Sequence, residues 1–358
     1  HDLIKTAENP ALFYAGLLAY EDACNGVPSG YPISLDSTAS GIQLLSIMAG
    51  CRQSASMCNV VDTGRREDAY TGVYKAMCEA LGQSARIERK QAKAALMTAM
   101  YNSVAVPREV FGKGSVQLDT FYDVVKAKLP GAWRLNEAFL TLAQPDALSY
   151  DWILPDNFHV HIKVKNTHAT TVQMHNRPVK VIQEVNAPVD EDRSLGANTT
   201  HSVDGMVVRE LRARCMYDPA RIHEVLAALT SKGTRTNRKQ DHMVMKLWQN
   251  YQHSGYLPVR ILSYLDRHNM GHVDAQEIFD LIATMPKKPF QILSVHDCFR
   301  VLPNYGNDLR IQYNRILHDL AKSNILQFLI SQIVGHPVQV VKKDDFAAEI
   351  LESNYALS

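Results

Sequence analysis

Asp36 closes the run YPISLD, and Asp297 follows His296 inside the apolar stretch ILSVHDCFRVL. A carboxylate at a strand end can face a cleft, and the small residues after Asp36 let a ligand approach the backbone. Two such carboxylates at the ends of adjacent strands repel unless cations neutralise them. Mg²⁺ prefers these oxygens and leaves room for water and phosphate oxygens. A pair of ions can stabilise the attacking and leaving oxygens of an in-line phosphoryl displacement. Arg89, Lys93, Met97 and Tyr101 step by four and share one helical stripe. That stripe offers cations for phosphates at one end and a flat ring at the other, with Arg as a fork and Lys as a point charge. His201 and Asp204 stand together in THSVDG. Each group also has a plainer use. Asp36 suits a helix N-cap, the stripe suits a solvated basic face with Met97 and Tyr101 turned inward, and His201 with Asp204 suits a helix start. His296 and Asp297 suit a tight turn.

These groups need elements to hold them. Residues 8 to 24 read as a helix with Leu12, Ala15, Gly16, Ala19 and Ala23 on one face. YPISLDST reads as a short strand ending at Asp36, followed by a buried helix over SGIQLLSIMAGC. Residues 65 to 82 and 86 to 101 read as helices, the second basic. The segments WILPDNFHVHIKVK and RPVKVIQEVN alternate apolar and polar, which predicts one β-hairpin around 152 to 186. Helices follow over 201 to 229, 242 to 283 and most of 307 to 335, with a hairpin turning at His296 and Asp297. Between them SKGTRTNRKQDH is a polar loop with Lys232, Arg235, Arg238 and Lys239, expected to be exposed. DRHNMGHVDAQE fits a calcium loop at Asp266, Gly271 and Glu277, but His268 and Met270 are poor ligands, so a helix connection without calcium is expected. The class is α+β, a small antiparallel sheet embedded in many helices.

Composition sets bounds. With 358 residues, 46% of them apolar, the chain can build a large core and two subdomains. Its net charge of +1 does not announce a nucleic-acid binder, though a groove can be basic while the rest of the surface balances it. NILQFLISQIV, the longest apolar run, is too short to span a membrane. Six scattered cysteines without a C-x-x-C pair suit reduced thiols in a cytoplasm. The first residue is His1 rather than Met, which suggests trimming upstream.

The order D-x-x-x-S-G-I-Q, R-x-x-x-K-x-x-x-M-T-x-x-Y, H-S-x-D-G and H-D resembles the single-subunit RNA polymerases of bacteriophages and mitochondria. WILPDNF is similar to the W-x-x-P-D-G-F segment of that family, and ILESNYALS to its C-terminal foot. The nearest resemblance is to the larger subunit of the split, two-chain transcriptase of enquatrovirus (N-four-like) podophages. It implies a right-hand fold of palm and fingers that lacks the thumb and N-terminal domain. It implies metal ligation by Asp36, Ser37 and Asp297, with two Mg²⁺ ions. It further implies that Arg89 and Lys93 meet the triphosphate, that Tyr101 stacks near the templating pair, and that His201 meets the ribose. The implied palm covers 1–50 and 291–335, with fingers over 51–200, a junction at 201–212, a helical insertion over 213–290 and the foot over 336–358.

The implied partners are a DNA template, the RNA product, nucleoside triphosphates and a smaller subunit that carries the missing parts. A single-stranded-DNA-binding protein is a further candidate, no membrane is involved, and the implied place is the cytoplasm of an infected bacterial host. The family usually has glycine where Ser37 and Asn102 stand, and Asn102 tolerates left-handed backbone better than most residues. A family A DNA polymerase shares the same skeleton, but usually carries a glutamate shortly after the first aspartate, where this chain has SGIQ. A scaffold that only binds DNA would not need both Asp36 and Asp297.

Overall fold

The computed structural model describes residues 2–82, 86–189, 191–231, 233 and 237–358. Helices α1 (Asp2–Thr6) and α2 (Pro10–Cys24) lead to strand β1 (Ile33–Asp36). Among the described residues seven α-helices follow: α3 (Ser40–Met48), α4 (Arg52–Ser56), α5 (Ala69–Leu81), α6 (Arg89–Ala99), α7 (Ala105–Phe111), α8 (Val116–Lys128) and α9 (Pro130–Leu142). Strands β2 (Ser149–Ile153), β3 (His159–Lys163), β4 (Lys165–Met174) and β5 (Arg177–Asn186) precede helices α10 (Ser194–Cys215), α11 (Pro219–Ala228), α12 (Lys239–Ser254) and α13 (Ala275–Ala283). Strands β6 (Leu293–Val295) and β7 (Cys298–Val301) precede α14 (Gly306–Lys322), α15 (Ile325–Val334) and α16 (Ala347–Leu351). The α+β expectation agrees with this mixture of helices and small antiparallel sheets.

Every residue of α3 is buried; its polar members are satisfied internally, Gln43 Nε2 donating to Cys58 O (3.0 Å) and Ala356 O (2.9 Å) and the Ser46 hydroxyl to Ile42 O (2.6 Å). The helix anchors a main core that includes Val73 and Met77 of α5, Leu96 of α6, Phe139 of α9, Leu211 of α10 and Leu317 of α14. Phe299 of the sheet joins the same core. A second core gathers Val225, Val244, Leu247, Ile261, Leu265 and Ile278 from the segment between α10 and β6. Helix α2 forms as its sequence predicts but buries no residue; Phe13, Tyr14 and Leu18 stay exposed.

The three-stranded sheet has the order β1-β7-β6 and is antiparallel throughout. His296 and Asp297 form the two-residue turn between β6 and β7, with His296 at a φ of 55°.

Four sequence expectations need correction. The single hairpin over 152–186 is two: β2 pairs with β3, and β4 with β5. The break falls at Val164, which is buried and donates its N–H to Leu148 O at 2.9 Å. His201 does not precede a helix, because α10 starts at Ser194 and also runs through the expected junction at 201–212. Thr199 and Thr200 return hydroxyl bonds to Leu195 O (2.8 Å) and Gly196 O (2.9 Å), so the small polar run LGANTT stays helical. The basic loop is not free at its end, because Arg238 pairs with Asp241 (2.6 Å) and Asp266 (2.9 Å), and Lys239 opens α12. Lys232 and Arg235 lie outside the described residues. Finally, Asp36 is not the cap of α3; that position is Ala39, which has no side-chain cap bond.

Candidate active site

The antiparallel register sets Asp36 opposite Cys298, so Asp297, one residue earlier, reaches the end of β1. Ser37 closes the junction. Its N–H donates to Asp297 O at 3.2 Å, and its hydroxyl donates to Asp297 Oδ2 at 2.9 Å. The C-terminal tail seals the outer edge of β1. Asp36 N–H donates to Ser358 O at 3.1 Å, Ser358 N–H returns to Asp36 O at 2.9 Å, and Thr38 N–H donates to Ala356 O at 3.1 Å. Partial burial and then the charge of Asp297 push the Asp36 carboxyl above its ordinary value, offset by the Ser37 N–H and by Lys93 and Arg66. The two carboxylates are therefore neighbours under electrostatic tension, and a cation between them would relieve it.

Helix α6 carries the basic stripe. Its last turn is closed by Asn102 at a φ of 63°, the left-handed backbone expected there. Asn102 Nδ2 donates to Asn136 O at 3.0 Å and Asn136 Nδ2 to Ala99 O at 2.9 Å, fixing the helix end. Met97 is 46% exposed, so the stripe is not a solvated face with Met97 turned inward. Lys93 holds its ammonium 5.4 Å from the centroid of the Tyr70 ring. Arg89 is engaged, bonding to Asp68 Oδ2 and, at 2.7 Å, to Thr71 Oγ1.

Tyr101 lies just beyond the helix. Its ring packs on the His201 ring, centroids 4.6 Å apart, and its hydroxyl abuts Gly41 of α3. A Cβ at position 41 would overlap that hydroxyl. Burial and then the charge of Asp204 raise the Tyr101 phenol well above its ordinary value, so it stays protonated. Burial lowers His201, so its ring is neutral at neutral pH.

A cavity of about 130 Å³ is lined by Ala39, Gly41, Tyr70, Met97, Tyr101 and Asp297. A second, of about 370 Å³, adjoins Asp36, Ser37, Arg66, Asp68, Tyr70 and Arg89. The two share Ala39 and Tyr70 in their walls, so Asp36, Ser37 and Arg89 on one side and Asp297 and Tyr101 on the other line adjacent cavities, with Lys93 over Tyr70 and His201 against Tyr101. His296 sits on the exposed tip of its turn.

Three further residues belong to this region. Tyr70 borders both cavities, and burial followed by the charge of Asp68 pushes its phenol up to about 12. Asp68 caps α5 through Tyr70 N and Thr71 N while binding Arg89. Asp204 accepts from Ser40 Oγ at 3.5 Å, and burial followed by the charge of Asp297 pushes it up to about 6. The signal for Asp204 was present in THSVDG; for Tyr70 no spacing pointed to it.

Among the described residues, no group of three or more His, Cys, Asp and Glu side chains could hold a metal ion. The available donors are two carboxylates and the Ser37 carbonyl, whose oxygen accepts no hydrogen bond among the described residues. All are hard oxygens, and the adjoining cavity is polar. The set fits a hard divalent cation that completes its shell with phosphate and water.

Residues 3–112 match the family model described as DNA-dependent RNA polymerase. The match indicates a DNA-directed RNA polymerase, a nucleotidyltransferase. Such an enzyme works on a DNA template with nucleoside triphosphates and makes RNA. The matched segment holds Asp36, Arg89, Lys93 and Tyr101, while His201 and Asp297 lie beyond it and join it by packing. No curated protein matches the chain. No helix among the described residues is long and apolar enough to cross a membrane.

Proposed function

We propose that this chain is the catalytic subunit of a DNA-directed RNA polymerase of the phage and mitochondrial kind, and that Asp36 and Asp297 bind two Mg²⁺ ions. The observation that supports it most is the setting of these carboxylates beside each other, joined through Ser37, which lies 260 positions from Asp297. Bound there, the ions would supply charge neutralisation for an in-line attack of an RNA 3′ hydroxyl on a nucleoside triphosphate.

The chain's own residues do the rest. Ser37 holds Asp297 in one orientation through its hydroxyl, and its carbonyl, which accepts no hydrogen bond among the described residues, is a third oxygen donor. Lys93, from the fingers helix, brings positive charge toward the triphosphate. Arg89 does the same when phosphate competes with Asp68 for its guanidinium. Tyr101, backed by His201, supports the base pair and keeps its phenol protonated beside the sugar. The sheet of β1, β6 and β7 serves as the palm floor, and the tail at 356–358 as the foot.

The smaller subunit, with thumb and N-terminal domain, is part of the same proposal, as is a nearest relationship to the split transcriptase of enquatroviruses. So is action in the cytoplasm of an infected bacterium. A single-stranded-DNA-binding protein belongs with them as a supplier of template. The segment 152–186, which holds β4 and β5, is proposed as the counterpart of that family's promoter-reading loop.

The test is extension of an RNA primer on single-stranded DNA by the chain, with and without copurifying proteins. Mg²⁺-dependent addition of ribonucleotides supports the reading. Preference for deoxynucleotides would mark a DNA polymerase instead, and template binding without extension in either preparation would mark a scaffold. Promoter-directed transcription by the chain alone would remove the smaller subunit from the proposal.

A further inference from the structure

Three arginines stand near the cavity beside Asp36, and they are not equivalent. Arg65 is paired with Glu67 at 2.7 Å. Arg89 is bound to Asp68 and Thr71. No hydrogen bond or ion pair engages Arg66 among the described residues, and Arg66 lines the cavity together with Asp36, Ser37 and Tyr70.

The loop that presents Arg66 is fixed rather than loose. Asn59, 2% exposed and at a φ of 59°, clamps the next residue from both sides. Its Oδ1 accepts from Glu67 N at 2.7 Å, and its Nδ2 donates to Glu67 O at 2.9 Å. The same Nδ2 lies 3.1 Å from Thr38 Oγ1, two residues beyond Asp36. Asp62 braces the other end by accepting from Gly64 N at 2.7 Å. A cation is thus carried on a braced loop, pinned to the segment that bears the first carboxylate, within the field of Asp36 but with no hydrogen bond or ion pair of its own among the described residues.

We propose that Arg66 binds the terminal phosphates of the incoming nucleoside triphosphate, and the pyrophosphate that leaves. This rests on the polymerase reading of the same site. A triphosphate beside Asp36 and Asp297 meets two carboxylates, and Arg89 must first be drawn from Asp68. Arg66 is already free and can offer a bidentate fork to phosphate oxygens. Its exposure leaves the guanidinium solvated until the ligand arrives, so no buried charge has to be maintained beforehand.

The experiment compares the full chain, Arg66→Ala, Arg66→Lys and Asp36→Asn, with any copurifying subunit retained. Calorimetric binding of inorganic tripolyphosphate with Mg²⁺ is measured beside the KM for nucleoside triphosphates and the affinity for single-stranded template. Arg66→Ala is expected to weaken tripolyphosphate binding and raise KM by roughly ten- to a hundredfold. Arg66→Lys should recover part of the loss, template affinity should stay the same, and the melting temperature should not fall. If the wild type binds tripolyphosphate and Asp36→Asn does not, yet Arg66→Ala binds like wild type, Arg66 has no such role while the polymerase reading stands. Weaker, salt-dependent template binding at unchanged KM would make Arg66 a nucleic-acid contact and overturn the proposal. If the wild type neither binds tripolyphosphate nor extends RNA, the polymerase reading fails, and the role of Arg66 fails with it.

Discussion

The Ser37 hydroxyl donates to Asp297 Oδ2 at 2.9 Å, which ties the end of β1 to the turn between β6 and β7. Together with the Ser37 N–H, it holds Asp297 beside the strand end that carries Asp36, against the repulsion of the two carboxylates. The arrangement costs electrostatic energy in the free protein, as the raised Asp36 shows. That cost is expected where a ligand supplies the missing positive charge.

Asp36→Asn and Asp297→Asn should each lower Mg²⁺-dependent extension by more than about a hundredfold, since each deletes an anionic ligand. Neither should weaken template binding. Without Mg²⁺, the melting temperature of Asp36→Asn should hold or rise, because the substitution removes a charge that the fold disfavours. Extension within a few-fold of wild type for either variant would sink the two-carboxylate assignment.

Gly41→Ala tests the seat of Tyr101. In a helix, alanine is ordinarily favoured over glycine by about 1 kcal/mol. Here its Cβ would overlap the Tyr101 hydroxyl and the ring carbon that bears it. We expect a net loss of about 1–3 kcal/mol in stability from overpacking, and at least a tenfold drop in extension, on the order of what a misplaced positioning group costs. In a Tyr101→Ala background the stability loss should shrink, which a double-mutant cycle measures. An equal loss in both backgrounds would show that the clash lies elsewhere.

Asp204 makes the Mg²⁺-free protein pH-sensitive. Its carboxyl is pushed from an ordinary value of 3.8 up to about 6, chiefly by burial. A raised acid favours folding while protonated. Its contribution is complete below the unfolded value and lost as pH climbs through about 6. Asp204→Asn should therefore stabilise the protein above that window by about 3 kcal/mol, and leave it little changed near pH 4. Chemical denaturation at the two pH values measures the difference. A gain of the same size at both would mean that the carboxylate is not penalised.

Much of this site was legible because its motifs are local. β1 ends at Asp36 because an apolar strand meets a run of small polar residues, and His296 with Asp297 turns a hairpin because apolar residues flank them on both sides. Asn102 could be read as left-handed because the resembled family usually has glycine there and asparagine tolerates that backbone. What could not be read depends on long-range pairing. Nothing in the spacing joins Arg89 to Asp68, or Asn59 to Glu67. The run from His159 to Met174 has no glycine or proline, and its one asparagine, Asn166, falls inside β4, so the change of partner at Val164 left no clear mark. His201 looked like a helix start because glycine, asparagine and threonines precede it, yet threonine hydroxyls can satisfy the preceding turn from within a helix. Tyr70 carries no motif and belongs to the site only because α5 packs beside α6.

Tyr101 and His201 are expected to set the choice between ribose and deoxyribose. Their rings lie 4.6 Å apart, and the phenol stays protonated, so it can donate into the cavity shared with Asp297. A site built around a polar group on its substrate penalises the analogue that lacks it, because its own polar atoms go unpaired. Tyr101→Phe keeps the ring and its contact with His201 and deletes the hydroxyl. The variant should make RNA within a few-fold of the wild-type rate, while its preference for ribonucleotides falls by about tenfold or more. His201→Ala should weaken ribonucleotide use directly and also loosen Tyr101, so both KM and discrimination should suffer. Competitive extension with ribo- and deoxynucleotides on one template reads both effects. If Tyr101→Phe abolishes synthesis, or keeps full discrimination, the hydroxyl does not gate the sugar and the role assigned to the end of α6 is wrong.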